Sequence, residues 1–296
     1  MKIGIIGAGS FGMAMYQSLS SNKQNLVQIT SRTKRDINNF VSYSDILLND
    51  ILIISISTQY IEDFFINHFI DKNQSIIVTS KGIDFTSGLF IHEILSKYVK
   101  KENIFFISGP TFAINLKNNQ PAVFSLGYYK KKNLNKVTNI FPKYIKIYPT
   151  KDIIGIEISG AYKNIIAIAS GIADGKGLGI SAQAALISRG LIEITRFGKY
   201  YGAKKSTFLN ISGAGDLFMT SLSENSRNYR FGKYLANGLT VNEASKALNE
   251  VSEGYKTTYA INKLNKKNKL YLPIADFVFR ILEGEDIDII IKELIS

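Results

Sequence analysis

Lys163 stands inside a strongly apolar stretch, Ile158-Ser159-Gly160-Ala161-Tyr162-Lys163-Asn164-Ile165-Ile166-Ala167. Burying an ammonium among isoleucines is costly unless it meets a negative group or gives up its proton. A lysine in that setting can act as a general acid toward a substrate oxygen. Two plainer roles compete with that one: snorkelling to the surface, or neutralising a structural carboxylate such as Glu157. Ser226-Arg227-Asn228 offers a hydroxyl, a planar cation and an amide within one turn, which suits a phosphate or a sugar hydroxyl. Thr79-Ser80-Lys81-Gly82 and Ser108-Gly109-Pro110-Thr111-Phe112-Ala113 each follow an apolar, strand-like run, at the rim where doubly wound sheets bind ligands. Taken singly, each of these patches reads equally well as a helix cap or a turn.

The chain opens Lys2-Ile3-Gly4-Ile5-Ile6-Gly7-Ala8-Gly9-Ser10-Phe11-Gly12. An apolar, β-branched run leads into Gly-x-Gly-x-x-Gly, and a helix-compatible segment follows. In a dinucleotide-binding turn Gly7 allows the tight bend and Gly9 admits backbone to a pyrophosphate, while Gly12 lets helix and strand pack closely. The diphosphate then rests on free N–H groups at the helix N-terminus, where the helix dipole favours negative charge. An ordinary glycine-rich turn is the alternative, and the strand before and helix after argue against it. NAD-preferring domains carry an acidic residue at the end of the second strand. Here that place reads Thr30-Ser31-Arg32-Thr33-Lys34-Arg35, so Arg32 could grip a 2′-phosphate, favouring NADPH. Otherwise Arg32 is solvated loop charge.

The elements that must position these residues follow from the apolar pattern. Short, continuously apolar runs at 3–6, 26–30, 51–56, 75–79 and 104–107 alternate with helical stretches, as a parallel sheet buried on both faces requires. Runs at 122–127 and 145–148 extend that sheet. From Asp152 the character changes: 153–173 and 182–201 read as buried core helices, followed by amphipathic helices near 229–237, 241–248, 257–264, 274–282 and 287–294. The expected architecture is α/β: an N-terminal doubly wound Rossmann sheet over residues 1–150, binding the dinucleotide, followed by an all-α substrate domain over 151–296.

Composition narrows the remaining options. The 296 residues are 45% hydrophobic and 20% charged, as in a globular protein with a sizeable core. Absence of cysteine excludes disulfides and thiolate metal sites, and the two histidines, His68 and His92, lack a ligand pattern, so no metal is expected. Gly, Lys and Asp interrupt the apolar runs before a membrane-spanning length, and the apolar N-terminus is a strand rather than a signal peptide. A cytoplasmic protein without stable membrane insertion follows. The net charge of +12 is scattered, which reads as a solvated surface rather than a nucleic-acid site. Apolar faces in the second half allow a homodimer.

Together these patches resemble the bacterial NAD(P)-dependent glycerol-3-phosphate dehydrogenases. The matching pieces run in family order along nearly the whole chain. They are Gly7-Ala-Gly9-Ser10-Phe11-Gly12, Ser80-Lys81-Gly82, Ser108-Gly-Pro-Thr-Phe-Ala113, Gly160-Ala-Tyr-Lys163-Asn164, Ala184-Ala-Leu-Ile-Ser-Arg189-Gly190, Gly213-Ala-Gly215-Asp216, Ser226-Arg227-Asn228 and Val251-Ser-Glu253-Gly254. The resemblance implies reduction of dihydroxyacetone phosphate to sn-glycerol 3-phosphate, a small-molecule reaction supplying glycerophospholipid synthesis, with NADP(H) or NAD(H). It makes Lys163 the proton donor. It makes Lys81, Gly109, Thr111, Asp216, Ser226, Arg227 and Asn228 substrate contacts. Ser10, Phe11, Arg32, Lys81, Ala113, Arg227, Val251 and Glu253 become cofactor contacts, and interdomain closure a natural means of excluding water.

One departure stands out: between Arg32 and Ile51 the chain is shorter than the family pattern, which puts the usual third strand in doubt. Two other classes are compatible with parts of the pattern. A ketopantoate reductase-like enzyme also pairs a dinucleotide domain with a lysine-bearing helical domain, but the motifs around Ser108–Ala113 and Ser226–Asn228 argue against it. A dinucleotide-sensing regulator without chemistry would have no need of Lys163, Lys81 or Asp216.

Overall fold

The structure, a computed structural model, describes residues 1–248 and 252–295. It divides into two compact units, one comprising Met1–Lys81 with Phe90–Ile156, the other Gly82–Leu89 with Glu157–Ser296. A single cut near residue 150 therefore does not capture the short excursion of 82–89 into the helical unit. There Lys263 donates to the Thr86 carbonyl at 2.8 Å, and the Phe85 ring meets Tyr259 edge-on.

The first unit is built on seven strands: β1 (Lys2–Ile6), β2 (Leu26–Thr30), β3 (Ile51–Ile54), β4 (Ser75–Val78), β5 (Ile104–Ser108), β6 (Ala122–Tyr128) and β7 (Ile145–Thr150). They form one sheet in the order β2-β1-β3-β4-β5-β6-β7, parallel throughout except for the antiparallel β5–β6 pair. Six helices connect them: α1 (Ser10–Ser20), α2 (Tyr43–Ile46), α3 (Ile61–Asn67), α4 (Ile91–Leu95), α5 (Ala113–Lys117) and α6 (Leu134–Thr138). Every residue of β3, β4 and β5 is buried, which is why those strands read as unbroken apolar runs rather than alternating ones. The order reverses around β1. In register, Ile6 lies opposite both Thr30 and Ile54, so the loops after β1, β2 and β3 leave one edge together. That edge at the switch point is where open α/β sheets take their ligands.

The shortened stretch after Arg32 forms no full strand. Only Phe40 makes a parallel bridge to Ile29 outside β2, with Val41 N–H donating to the Ile29 carbonyl at 3.0 Å.

Nine helices are described in the rest of the chain: α7 (Ile153–Gly175), α8 (Gly179–Tyr200), α9 (Lys205–Phe208), α10 (Asp216–Ser221), α11 (Arg227–Ala236), α12 (Val241–Ala247), α13 (Glu253–Asn268), α14 (Pro273–Leu282) and α15 (Ile287–Ile295). Among the described residues this part contains no strand. Asp152 opens α7 by accepting from Gly155 N–H at 3.1 Å. Ile158, Tyr162, Ile165, Ile166, Ile168 and Ile172 of α7 are fully buried, so the helix is apolar on nearly all sides because helices surround it. By length and composition α7 could cross a membrane, contrary to the expectation that no run reaches that length. Its apolar window is 94% buried in the protein, which makes it a core helix.

Candidate functional site

In the first unit the glycine motif follows β1 directly. Gly7 has φ +114°, and a Cβ there would stand 2.3 Å from the Ser55 carbonyl oxygen, so only glycine fits. At Gly12 a Cβ would come within 1.9 Å of the Gly7 oxygen, which fixes how closely α1 approaches the turn. Gly9 differs: a Cβ would meet nothing within 4 Å. It caps α1 without a side-chain hydrogen bond, and no acidic residue occupies the first turn, where Ser10 is exposed and Phe11 half-buried. Open space at the N-terminus of an uncapped 11-residue helix suits a diphosphate, so the residues present fit a dinucleotide.

Other candidates of this unit lie at the same sheet edge. Arg32, exposed after β2, places its guanidinium carbon 5.8 Å from the centroid of the Tyr60 ring. Lys81 follows β4; its carbonyl accepts from Thr58 Oγ1 at 3.2 Å, and Ser80 Oγ donates to the Ile56 carbonyl at 2.5 Å. Gly109 is buried just beyond β5, Thr111 N–H turns back to its carbonyl at 2.8 Å, and Ala113 begins α5. The Thr111 hydroxyl is buried without a hydrogen-bond partner.

In the helical unit Lys163 is buried, with 7% of its surface exposed. Its Nζ donates to Asp216 Oδ1 at 2.5 Å and to Thr220 Oγ1 at 3.1 Å. The lysine thus does not snorkel to the surface, and a carboxylate partner, Asp216, comes from another helix. Asp216 is the first residue of α10, entered through a π-helical turn at Ile211–Gly215, and is fully buried. Asp216 and Thr220 stand four residues apart on one face of α10, and Thr220 Oγ1 also reaches Asp216 Oδ1 at 3.3 Å. Seven residues along α7, Ser170 Oγ donates to the Ser221 carbonyl at 2.6 Å, which locks α10 beside α7. Near the lysine in sequence, Ser159 Oγ and Asn164 Nδ2 are buried without hydrogen-bond partners. Orphaned polar atoms of this kind are rare in folded proteins and mark a place that expects a further polar group.

Sequence reasoning assigned no role to Thr220 or Asn164. Thr220 had a signal in its i, i+4 spacing from Asp216, and Asn164 in its place beside the lysine.

The Ser226–Asn228 cluster forms the start of α11. Ser226 caps it, accepting from Tyr229 N–H at 3.3 Å, so its hydroxyl serves as a helix cap. Arg227 is exposed in the first turn. Asn228 is buried, and its side-chain oxygen accepts from Gly254 N–H at 2.9 Å and from Ser252 Oγ. That oxygen ties α11 to the start of α13, so a ligand contact falls to Nδ2. Glu253 is the half-buried first residue of α13; Val251 lies outside the described residues. No group of three or more His, Asp and Glu side chains among the described residues is placed to hold a metal ion.

Against known proteins, residues 43–134 match the model of the NAD-dependent glycerol-3-phosphate dehydrogenase N-terminus, and residues 152–292 that of its C-terminus. The chain is 45% identical over 295 residues to glycerol-3-phosphate dehydrogenase [NAD(P)+] of Sulfurimonas denitrificans, covering 100% of this chain and 99% of that one. It is 42% identical over 296 residues to the protein of the same description from Campylobacter lari, covering 100% and 98%. Among solved structures, glycerol-3-phosphate dehydrogenase from Coxiella burnetii matches with a TM-score of 0.92 at 28% identity, covering 100% of this chain and 98% of that one.

Proposed function

The chain belongs to the NAD-dependent glycerol-3-phosphate dehydrogenase family, and from that premise we propose that it reduces dihydroxyacetone phosphate to sn-glycerol 3-phosphate, using NADPH by preference and NADH as an alternative. The observation that carries the reading is a buried ammonium, Lys163, fixed by Asp216 and Thr220. When bound, the dinucleotide supplies the hydride to the ketone carbon. Negative charge then builds on the carbonyl oxygen, and Lys163 stabilises that oxygen and passes it a proton from Nζ. In reverse, the neutral amine takes the hydroxyl proton back. Asp216 neutralises the ammonium, and Thr220 limits the directions in which Nζ can point.

The remaining residues bind and orient. Arg227 and Asn228 Nδ2 hold the substrate phosphate at the start of α11, with Lys81, Gly109 and Thr111 as further contacts; the orphaned Thr111 hydroxyl is suited to one. Ser226 contributes by capping that helix. Binding energy from the non-reacting phosphate is then available to position the ketone. Gly7, Gly9, Ser10, Phe11 and Gly12 cradle the cofactor diphosphate and Arg32 takes the adenosine 2′-phosphate, with Ala113, Arg227 and Glu253 as additional cofactor contacts.

On this reading the enzyme is cytoplasmic and supplies the phosphorylated glycerol of glycerophospholipids. It pairs with a second copy through apolar helical faces such as that of α8, where Ile180 and Ile192 are 66% and 50% exposed. The test is a spectrophotometric assay of purified protein with dihydroxyacetone phosphate and ketopantoate, each against NADPH and NADH. Turnover with dihydroxyacetone phosphate is expected; turnover with ketopantoate alone would overturn the substrate assignment.

A further inference from the structure

We infer that Tyr60 is a positioning residue for cofactor choice, holding the Arg32 guanidinium ready for an adenosine 2′-phosphate. The inference deepens, and rests on, the reading of the glycine turn as a dinucleotide site.

The topology makes the contact informative. Arg32 follows β2 and Tyr60 ends the 3-10 turn after β3, and these strands flank β1 on opposite sides. Two strand spacings separate them by about 10 Å, yet the guanidinium carbon lies 5.8 Å from the ring centroid. Their contact therefore spans the strand that feeds the glycine turn. The tyrosine is held from its backbone: its N–H donates to the Ser57 carbonyl at 2.9 Å, and the neighbouring Thr58 hydroxyl anchors to the Lys81 carbonyl. The residue remains 47% exposed.

The chemistry of the guanidinium assigns a purpose to this contact. A cation–π contact holds the guanidinium by its charge and leaves its in-plane N–H donors without an oxygen acceptor. Those in-plane donors are what a phosphate uses. Tyr43 is close enough for the arginine charge to lower its hydroxyl pKa, against the larger upward push of burial, and the same exposed loop carries Lys34, Arg35 and Asp36. No ion pair with a carboxylate engages Arg32 among the described residues. An exposed arginine held beside an aromatic ring and engaged in no ion pair with a carboxylate among the described residues is arranged for an anion that arrives from outside. An aliphatic side chain at 60 would release the arginine to many rotamers, and ordering it would then be charged to ligand binding.

Calorimetric titration with adenosine 2′,5′-bisphosphate and adenosine 5′-monophosphate tests this without turnover. Wild type should favour the bisphosphate. Tyr60→Leu should weaken the bisphosphate by about 5–10-fold and the monophosphate by less than about twofold, while Tyr60→Phe, which keeps the ring, should behave as wild type. Equal weakening of both ligands by Tyr60→Leu would make the ring an adenosine contact or a fold element and overturn the inference. So would a loss in Tyr60→Phe as large as in Tyr60→Leu. If wild type bound both ligands equally, the role of Arg32 would fail as well; if it bound neither, the dinucleotide site itself would fail.

Discussion

Lys163 Nζ and Asp216 Oδ1 lie 2.5 Å apart, with the lysine side chain 8% exposed and the aspartate fully buried. The pair joins α7 to α10 within the helical unit. Taking both charges out of water costs more than an apolar contact of the same size would, so stability alone does not account for it.

That imbalance yields a test. Lys163→Met or Asp216→Leu alone breaks a buried ion pair from one side and should cost about 3–5 kcal/mol. The double variant should recover most of that loss, yet stay inactive. Denaturant titration alongside a turnover assay checks it. Recovery of activity with stability would remove the chemical role of the pair.

The glycines of the first turn separate fold from ligand. Gly12→Ala drives a methyl into the Gly7 carbonyl and should destabilise the protein by about 1–3 kcal/mol or more. Gly9→Ala meets nothing in the protein, so stability should change by less than about 0.5 kcal/mol. NADPH binding, followed by cofactor fluorescence, should nevertheless weaken by about tenfold, a loss of about 1.4 kcal/mol. Undiminished binding in Gly9→Ala would place the diphosphate elsewhere.

Arg32→Ala should raise the KM for NADPH by about tenfold and leave that for NADH within about twofold, because a charge-assisted contact is lost only where the 2′-phosphate exists. Steady-state kinetics with both cofactors decides it. Equal losses would make Arg32 a general adenosine contact.

Glu193 of α8 introduces a pH dependence. Its carboxylate accepts from Tyr162 Oη at 2.7 Å and from the N–H groups of Ile274 and Ala275 at 2.8 and 2.9 Å, at the start of α14. Burial raises its pKa above the usual carboxylate value, and the backbone and tyrosine hydrogen bonds offset this only in part. The folded state therefore holds its proton to higher pH than the unfolded chain. Its stabilising contribution is complete below the unfolded pKa of about 4.3 and is lost as pH rises through the folded value. Glu193→Gln should remove that component. Tm measured against pH from about 4 upward should fall more steeply in wild type than in the variant; parallel curves would contradict the assignment.

Much of this was legible in the chain. Leu-Val-Gln-Ile-Thr at 26–30 reads as a strand and is one, residue for residue, because its alternate residues Val27 and Ile29 are apolar and buried while it pairs along its whole length with β1. Helix α13 begins at Glu253 rather than near 257, since its first turn, Glu-Gly-Tyr-Lys, carries no apolar periodicity and is ordered by Asn228 reaching across from α11. The excursion at 82–89 was invisible because its packing depends on Lys263, 177 positions away from Thr86. Thr220 escaped for the same reason: its meaning depends on α10 docking against α7. Lys163 stood out by its surroundings, whereas Asp216 was legible only through the family resemblance, since neither burial nor pairing is written in Gly-Ala-Gly-Asp.

The most direct measurement compares wild type with Lys163→Ala in two readouts on one preparation: NADPH binding by fluorescence, and NADPH oxidation driven by dihydroxyacetone phosphate. Binding should be retained while kcat falls by about 10²–10⁴-fold, the range of a lost general acid. Turnover by the alanine variant at the wild-type rate would contradict the account.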